Sequence, residues 1–302
     1  MFPKLLSIAL IGWLCWLGLV ACPASGKEQA AVSQELQAAV KAMEAAKQAG
    51  PVDISLRNQA VLKIPKGYVF IPTAEAGAYA RALGNTPGNG FLGLIFPEKD
   101  DSGWVVVVEY IDSGYIKDDE AKTWNLDELL ESYKEGTEAN NNKRIERGFP
   151  ALEVTGWVEK PSYDAINHRL VWSMAVRASG HNSADDQSVN YNSYVLGREG
   201  YFSLNMVADI NSIAALIPKA DALLAALRFN DGKSYMDFDA STDKVAEYGL
   251  AALVGGITAK KLGMLALGTV FFAKFSKLII VGAIVIGAFA LKILKCNRPS
   301  IA

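Results

Sequence analysis

Alternating apolar and polar positions occupy most of the middle of the chain, and this period-two pattern predicts β-strands. The pattern begins at Val52, where residues 54–64 favour a hairpin and residues 68–71 a third strand after the Pro65-Lys66-Gly67 turn. Further strands are predicted at residues 91–96, 104–110, 152–159, 165–178, 190–198 and 201–208.

Four segments with apolar residues at helical spacing interrupt the strands, and they predict helices over residues 28–49, 73–83, 126–138 and 213–227. Thr73 and Asn125 stand where N-caps are expected, and Asn140-Asn141-Asn142 is expected to be a loop. Strands occur in consecutive runs instead of alternating with helices. The predicted class is therefore α+β, with a mainly antiparallel sheet, a few packing helices, and one or more transmembrane helices after them.

The N-terminus has the order of an export signal. A short basic start, Met1 to Lys4, is followed by the uncharged run Leu5 to Val20 and then by small residues. This order predicts a signal peptide over residues 1–26, because the apolar run is short for a membrane-spanning helix. Leu19-Val20-Ala21-Cys22 resembles a bacterial lipobox, so Cys22 is a candidate for lipidation, while cleavage after Ala24 or Gly26 is the alternative.

The C-terminus contains a second uncharged apolar run. Residues 278–294 carry a single charge, Lys292, and at helical rise they extend for about 25 Å, close to the hydrocarbon thickness of a bilayer. They predict a transmembrane helix, with Leu278, Gly282, Gly287 and Leu291 in the anchor. Residues 248–273 are equally apolar but are split by Lys260-Lys261, which favours an amphipathic or re-entrant segment. One crossing and two crossings both stay open.

Charge is distributed unevenly along the 302 residues, although the formal net charge is only −2. All acidic residues lie between the two apolar ends, and this acidic middle argues against binding of nucleic acid. The three cysteines lie outside residues 27–295, so the middle has no thiol nucleophile and no disulfide. The predicted segments are a signal peptide (1–26), a helical tether (27–51), an extracytoplasmic α+β domain (52–230), a polar linker (231–247), the amphipathic or re-entrant segment (248–273) and the transmembrane helix (278–294).

Motifs for cofactor or metal chemistry are weak. Gly88 to Gly93 matches G-x-G-x-x-G, but a predicted helix precedes it and a strand follows, the reverse of a dinucleotide site. Asp237 to Asp243 begins like a calcium loop, yet Thr242 replaces the turn glycine and Tyr248 the bidentate glutamate. No cofactor and no metal are therefore expected.

Catalytic candidates are equally scarce. The two histidines, His168 and His181, stand in no local catalytic motif; His168 is expected on a sheet surface and His181 in a loop. Aromatic residues are numerous, and they either fill the core, the commoner fate on strands, or line a binding face. They are Trp104, Tyr110, Trp124, Trp157, Tyr163, Trp172, Tyr191, Tyr194 and Tyr201.

Four stretches of sequence are distinctive: residues 62–70, residues 103–110, Gly114 to Glu120, and Asp243 to Leu253. With the signal and the tail, they resemble an uncharacterised family of prokaryotic membrane-anchored proteins defined by a domain of unknown function. The resemblance implies an architecture and a location, and it implies no site residues.

The function that these observations favour is a membrane-anchored module of the bacterial envelope that binds a protein or peptide. The expected location is the cell membrane, the inner one in a Gram-negative bacterium, with the main domain facing the periplasm or the exterior. The expected partners are the lipid bilayer and an envelope protein. The alternative is an envelope hydrolase whose site is assembled from distant residues, with His168 among them.

Overall fold

The computed structural model describes residues 26–83, 85, 87–99, 103–119, 124–146, 150–180 and 187–255. The predicted signal peptide, Cys22, the anchor residues of 278–294 and most of the segment 248–273 lie outside these residues. Within the described ranges, no helix combines the length and the apolar character that a bilayer crossing needs.

The described residues form two antiparallel sheets, which confirms the predicted α+β class. In chain order the strands are β1 (Gln48–Ala49), β2 (Val52–Leu56), β3 (Ala60–Ile64), β4 (Tyr68–Pro72), β5 (Phe91–Pro97), β6 (Val105–Ile111), β7 (Leu152–Asp164), β8 (Arg169–Ala178), β9 (Gln187–Leu196), β10 (Tyr201–Asp209) and β11 (Leu227–Phe229). The large sheet has the order β1-β4-β5-β6-β10-β9-β8-β7, and the small sheet has the order β11-β3-β2. The predicted hairpin of β2 and β3 is confirmed.

Helices pack on both faces of the large sheet. They are α1 (Gly26–Ala46), α2 (Thr73–Ala82), α3 (Leu126–Glu146), α4 (Ile213–Ala225) and α5 (Leu250–Gly255), with a short 3-10 helix at Tyr235–Asp237. On one face, α4 and the small sheet bury a cluster that contains Phe202 of β10, Leu62 of β3 and Leu223 of α4. On the other face, residues of α2, α3 and α5 pack against a cluster that contains Trp172 and Tyr194. We call the second face the inner face.

Because both faces of the large sheet are covered, its central strands lose the alternation of buried and exposed residues. Every residue from Ser188 to Leu196 and from Tyr201 to Ala208 is buried. The polar residues of these strands are therefore buried as well, on the side where a one-sided sheet would expose them to water.

Helix α3 is longer than predicted, because Asn140 to Asn142 lie inside it and not in a loop. Asn141 is buried, and its side chain pairs with the backbone of Leu152: Nδ2 donates to the carbonyl at 3.0 Å, and Oδ1 accepts from the amide at 2.8 Å. This tertiary contact outweighs the weak helix propensity of asparagine. The predicted cap is confirmed, since Asn125 Oδ1 accepts from the amides of Asp127 and Glu128.

Two further predictions were wrong in local detail. Thr73 does not cap α2, because its hydroxyl donates to the Leu92 carbonyl at 2.6 Å and ties the helix to β5. Strand β8 begins at Arg169, not at residue 165. Asp164 Oδ1 accepts from the amides of Ile166 and Asn167, and these bonds fold residues 165–168 into a turn.

The limits of the predicted segments stay a prediction. The described residues nevertheless show contacts on both sides of the predicted domain. Met43 of α1 packs against the inner-face cluster, and Tyr235, Leu250 and Leu253 are buried in that cluster. Residues before Val52 and after Asn230 thus contribute to the core.

Candidate functional site

Two sequence strings that lie far apart in the chain meet at one end of the large sheet. Tyr115 and Val245 form a parallel bridge, in which the Tyr115 amide donates to the Lys244 carbonyl and the Ala246 amide donates to the Tyr115 carbonyl, both at 2.8 Å. The close approach requires the glycine before Tyr115, because a Cβ at Gly114 would overlap the Lys244 carbonyl oxygen. Residues 243–246 are thereby fixed against the domain.

An arginine fork holds the same segment from the other side. Arg198 donates from Nε and Nη2 to the two carboxylate oxygens of Asp243, at 2.7 and 2.8 Å. These bonds hold the pKa of Asp243 well below its usual range. The Asp237 carboxylate accepts a hydrogen bond from the Ser234 hydroxyl, and the Asp239 carboxylate accepts one from the Ser241 hydroxyl. The carboxylates of the calcium-like string thus have protein partners.

Four rings stack against one another beside this bridge. The centroid distances are 3.8 Å between Phe238 and Tyr115, 4.4 Å between Tyr115 and Tyr235, and 4.0 Å between Tyr235 and His168. The interplanar angles stay between 15° and 28°. Tyr235 also donates its hydroxyl to the Ile116 carbonyl at 2.8 Å, which fixes the middle of this aromatic stack.

His168 closes the stack and has a defined hydrogen-bond partner. The Tyr163 hydroxyl lies 2.8 Å from Asp118 Oδ2 and 3.1 Å from His168 Nδ1. A hydroxyl has one proton, and the shorter contact assigns it to Asp118. His168 Nδ1–H must then donate to the Tyr163 oxygen, which leaves Nε2 as the basic nitrogen.

The surroundings of His168 favour the neutral imidazole. Burial lowers the pKa of His168, while the carboxylates of Asp118 and Asp164 act in the opposite direction. Among the described residues, no serine, threonine or cysteine makes a hydrogen bond with His168, and one carboxylate, that of Asp118, lies within 4 Å of it. In the part of the chain that the structure describes, the cluster therefore has an oriented base to which no serine, threonine or cysteine side chain is hydrogen-bonded.

Exposed apolar side chains surround the stack. Ile166, two residues before His168, is 89% exposed; Met236, next to Tyr235, is 78% exposed; and Val245, which bridges to Tyr115, is 39% exposed. We call the aromatic stack together with these three side chains the stack surface. The exposed charged residues around it are Asp119, Asp164, Asp237, Asp239, Lys117 and Lys244. The arrangement offers apolar contact area with a border whose net charge is negative.

The structure divides the aromatic residues singled out from the sequence. Trp104, Tyr110, Trp172, Tyr191, Tyr194 and Tyr201 are buried, which confirms for these six the interpretation as core. Tyr163 instead lies at the candidate site. The expectation that His168 lies on a sheet surface was wrong, because this residue ends a turn at φ 50°. His181 lies outside the described residues.

The two motifs that were judged weak from the sequence form ordinary turns and hydrogen bonds within the protein. Gly88 to Gly93 follows α2 and leads through a turn into β5, the reversed order that the sequence indicated. In the described part of the chain, no three His, Cys, Asp or Glu side chains are close enough to hold a metal ion.

Sequence reasoning missed the roles of Tyr115, Asp118 and Tyr235. Tyr115 and Asp118 lie close together in the chain, but Tyr235 and His168 come from two other segments, and no local spacing connects the three segments. The available signal was indirect, since Tyr115 and Asp118 lie in one of the four distinctive strings and Val245 in another.

The sequence was compared with known protein families, and most of the chain matches one of them. Residues 48–287 match the family described as "Protein of unknown function (DUF2167)". The chain belongs to the DUF2167 family. The matched DUF2167 region includes all the strands described above and the whole stack surface. Among curated proteins, none matches the sequence.

A solved structure with some likeness to the DUF2167 chain is that of cyanobacterial PsbP (CyanoP) from Synechocystis sp. PCC 6803, determined in solution. The two sequences are 9% identical, the match covers 61% of this chain and 91% of the other, and the TM-score is 0.36.

Proposed function

We propose that this DUF2167 protein is a membrane-anchored protein of the bacterial envelope whose sheet domain binds a protein or peptide at the stack surface. The observation that carries the proposal is the group of exposed apolar side chains beside the ordered aromatic stack. Five large hydrophobic side chains are exposed in the described part of the chain, and three of them, Ile166, Met236 and Val245, belong to the stack surface. Such clustering is typical of interaction sites, whereas single exposed apolar residues are ordinary.

The rings of the stack are held before any partner arrives. Tyr235 is hydrogen-bonded to Ile116, His168 to Tyr163, and Phe238 precedes the segment fastened by Asp243. Fixed aromatic side chains lose little conformational entropy on binding, which favours affinity.

Charge defines the chemistry of the partner. The exposed acidic residues around the stack surface repel an acidic segment and attract a basic one. The partner that fits is an envelope protein or peptide with an apolar segment flanked by lysine or arginine.

The anchoring part of the proposal rests on the sequence. Residues 1–26 have the pattern of an export signal, and residues 278–294 have the composition of a single span. We expect the full-length protein to stay in the membrane pellet after an alkaline carbonate wash, because a spanning helix is not extracted by high pH. Recovery of the full-length protein in the supernatant would contradict the anchor.

Photo-crosslinking in native membranes tests the docking surface. A photoreactive amino acid at position 166 is expected to give one discrete crosslinked species, since Ile166 is exposed two residues before His168. The matched control is position 214, an exposed residue of α4, which packs on the opposite face of the sheet. Mass spectrometry of the crosslinked peptide is expected to show an apolar segment bordered by Lys or Arg.

Two results would overturn the proposed surface. One is a crosslinking pattern at position 166 that equals the pattern at position 214. The other is a crosslinked peptide rich in Asp or Glu, because it would contradict the charge argument.

A further inference from the structure

A second polar cluster lies inside the protein, away from the stack surface. It consists of Glu109 on β6, Ser203 and Asn205 on β10, and Asn190 and Asn192 on β9. All five side chains lie on the inner face of the sheet. Side chains alternate between the faces along a strand, and each of the five is an even number of positions from Val107, Tyr194 or Val207, which belong to the inner-face cluster. We call these residues the buried polar row.

The strand register fixes the spacing of the row. Glu109 is paired with Ser203, and Asn205 is paired with Asn192. Residues directly opposite on one face have Cβ atoms about 5 Å apart, and diagonal neighbours about 7 Å apart. Asn205 is the diagonal neighbour of Glu109 on the same face, so the side chains that carry the carboxyl and the amide start from Cβ atoms about 7 Å apart.

Asn205 has unused hydrogen-bonding capacity. It is 1% exposed, and neither its Oδ1 nor its Nδ2 has a hydrogen-bond partner among the described residues; the same holds for Asn190 Oδ1. A buried polar group without a partner destabilises the folded state, because it has given up its hydrogen bonds to water. Core positions of this kind would be more stable with an apolar residue, so the amides are better explained by a ligand that they contact.

Glu109 indicates the charge of that ligand. It is 5% exposed, and no ion pair joins it to a described residue. Glu109 interacts electrostatically with the phenols of Tyr194 and Tyr201. These two interact in turn with Tyr248, and Tyr194 also interacts with Tyr133 of α3. Burial raises the pKa of each of these phenols, so all four are neutral near pH 7. A cation is the group that would complement this carboxylate.

The geometry distinguishes an organic cation from a metal ion. A hard metal ion needs several oxygen atoms converging to about 2.3 to 2.6 Å. Side chains that project in parallel from a sheet, about 5 Å apart, do not converge in this way. A chain of several atoms with an amine at one end and a hydroxyl or amide at the other matches the diagonal from Glu109 to Asn205.

We propose that the buried polar row is a binding site for a small organic amine, with the ammonium group at Glu109 and a second polar group at Asn205. This site is independent of the stack surface. The ammonium donates to the Glu109 carboxylate, and the Asn205 amide supplies both a donor and an acceptor to the other end of the ligand.

The test uses 5-amino-1-pentanol as the probe and the detergent-solubilised full chain at pH 8. The matched controls are 1,5-pentanediol, which lacks the amine, and pentylamine, which lacks the hydroxyl. We expect 5-amino-1-pentanol to bind with a Kd about tenfold lower than that of either control, measured by calorimetry. In the NMR spectrum of protein labelled with carbon-13 at glutamate, the carboxyl signal of Glu109 should move on binding.

Variants assign the two ends of the probe. Glu109→Gln should abolish the preference over 1,5-pentanediol, and Asn205→Ala should abolish the preference over pentylamine. Glu98→Gln, at an exposed glutamate, should change neither preference. Equal Kd values for the three probes would overturn the proposal. A preference for 5-amino-1-pentanol over 1,5-pentanediol that survives in Glu109→Gln would overturn it too, because the amine would then be held by other carboxylates.

Discussion

Replacing Glu109 by glutamine should stabilise the protein by about 3 kcal/mol at pH 8, and this gain should disappear near pH 4.5. Desolvation raises the pKa of Glu109 from 4.5 to about 7 in the folded protein. Below the unfolded pKa, the carboxyl is protonated in both states and costs nothing. As the pH rises from 4.5 through 7, the unfolded carboxyl ionises while the folded one retains its proton, so folding loses free energy. Glutamine has nearly the same shape and does not titrate.

Urea unfolding of the wild type and of Glu109→Gln at pH 4.5, 6, 7 and 8 measures this effect, in the absence of amines. The difference in the free energy of unfolding should grow with pH and level off above pH 7. Glu98→Gln is the control, since this glutamate is exposed and should give a difference that does not depend on pH. A constant difference for Glu109→Gln would mean that the carboxyl is solvated, and the buried polar row would lose its charged end.

Replacing Phe202 by alanine should lower the free energy of unfolding by about 4 kcal/mol, the range typical of a large buried aromatic residue. Phe202 is fully buried at the centre of the large sheet. Its ring lies 4.8 Å from that of Tyr110 and 5.7 Å from that of Phe229 on β11. The side chain thus joins the large sheet to the small one.

Chemical denaturation compares this variant with Ile166→Ala. Ile166 is a large apolar side chain at the stack surface, and its removal should change stability by less than about 0.5 kcal/mol. A loss at Phe202 as small as the one at Ile166 would mean that the two sheets do not share a core. A large loss at Ile166 would mean that this side chain is buried, which would remove the apolar border from the docking proposal.

The sequence predicted the class of the fold because local pattern and tertiary structure agree over most strands. Residues 201–208, for example, were predicted as a strand and form β10 almost unchanged. The short strands β1 and β11 were missed, because two or three residues contain no measurable period. They form only because neighbouring strands offer an edge to pair with.

Prediction failed where one side chain decides the backbone. Asn141 is a loop former by propensity, yet its two hydrogen bonds to Leu152 keep it inside α3. Asp164 turns the chain through its bonds to the amides of Ile166 and Asn167 and thereby moves His168 out of the strand. Only the first effect depends on a remote partner, because Leu152 lies 11 residues from Asn141. The turn at Asp164 is local, but the strand-like pattern of residues 165–178 outweighed it in the prediction.

The candidate site could be predicted least of all. Its rings come from three segments of the chain, and its order depends on the bridge between Tyr115 and Val245 and on the fork of Arg198. The buried polar row was hidden for a different reason. Asn190, Asn192 and Asn205 occupy positions that read as the solvent face of a strand, and only the helices on the inner face make them interior.

The claim that the stack surface binds a basic partner is tested most directly by the crosslinking yield at position 166 when Met236 is replaced by lysine. Met236 is exposed, so the replacement leaves the core intact, and it places a positive charge on the stack surface that repels a basic partner. The crosslinked species in native membranes is expected to be lost in Met236→Lys and kept in Ala214→Lys. An unchanged yield in Met236→Lys would contradict the claim.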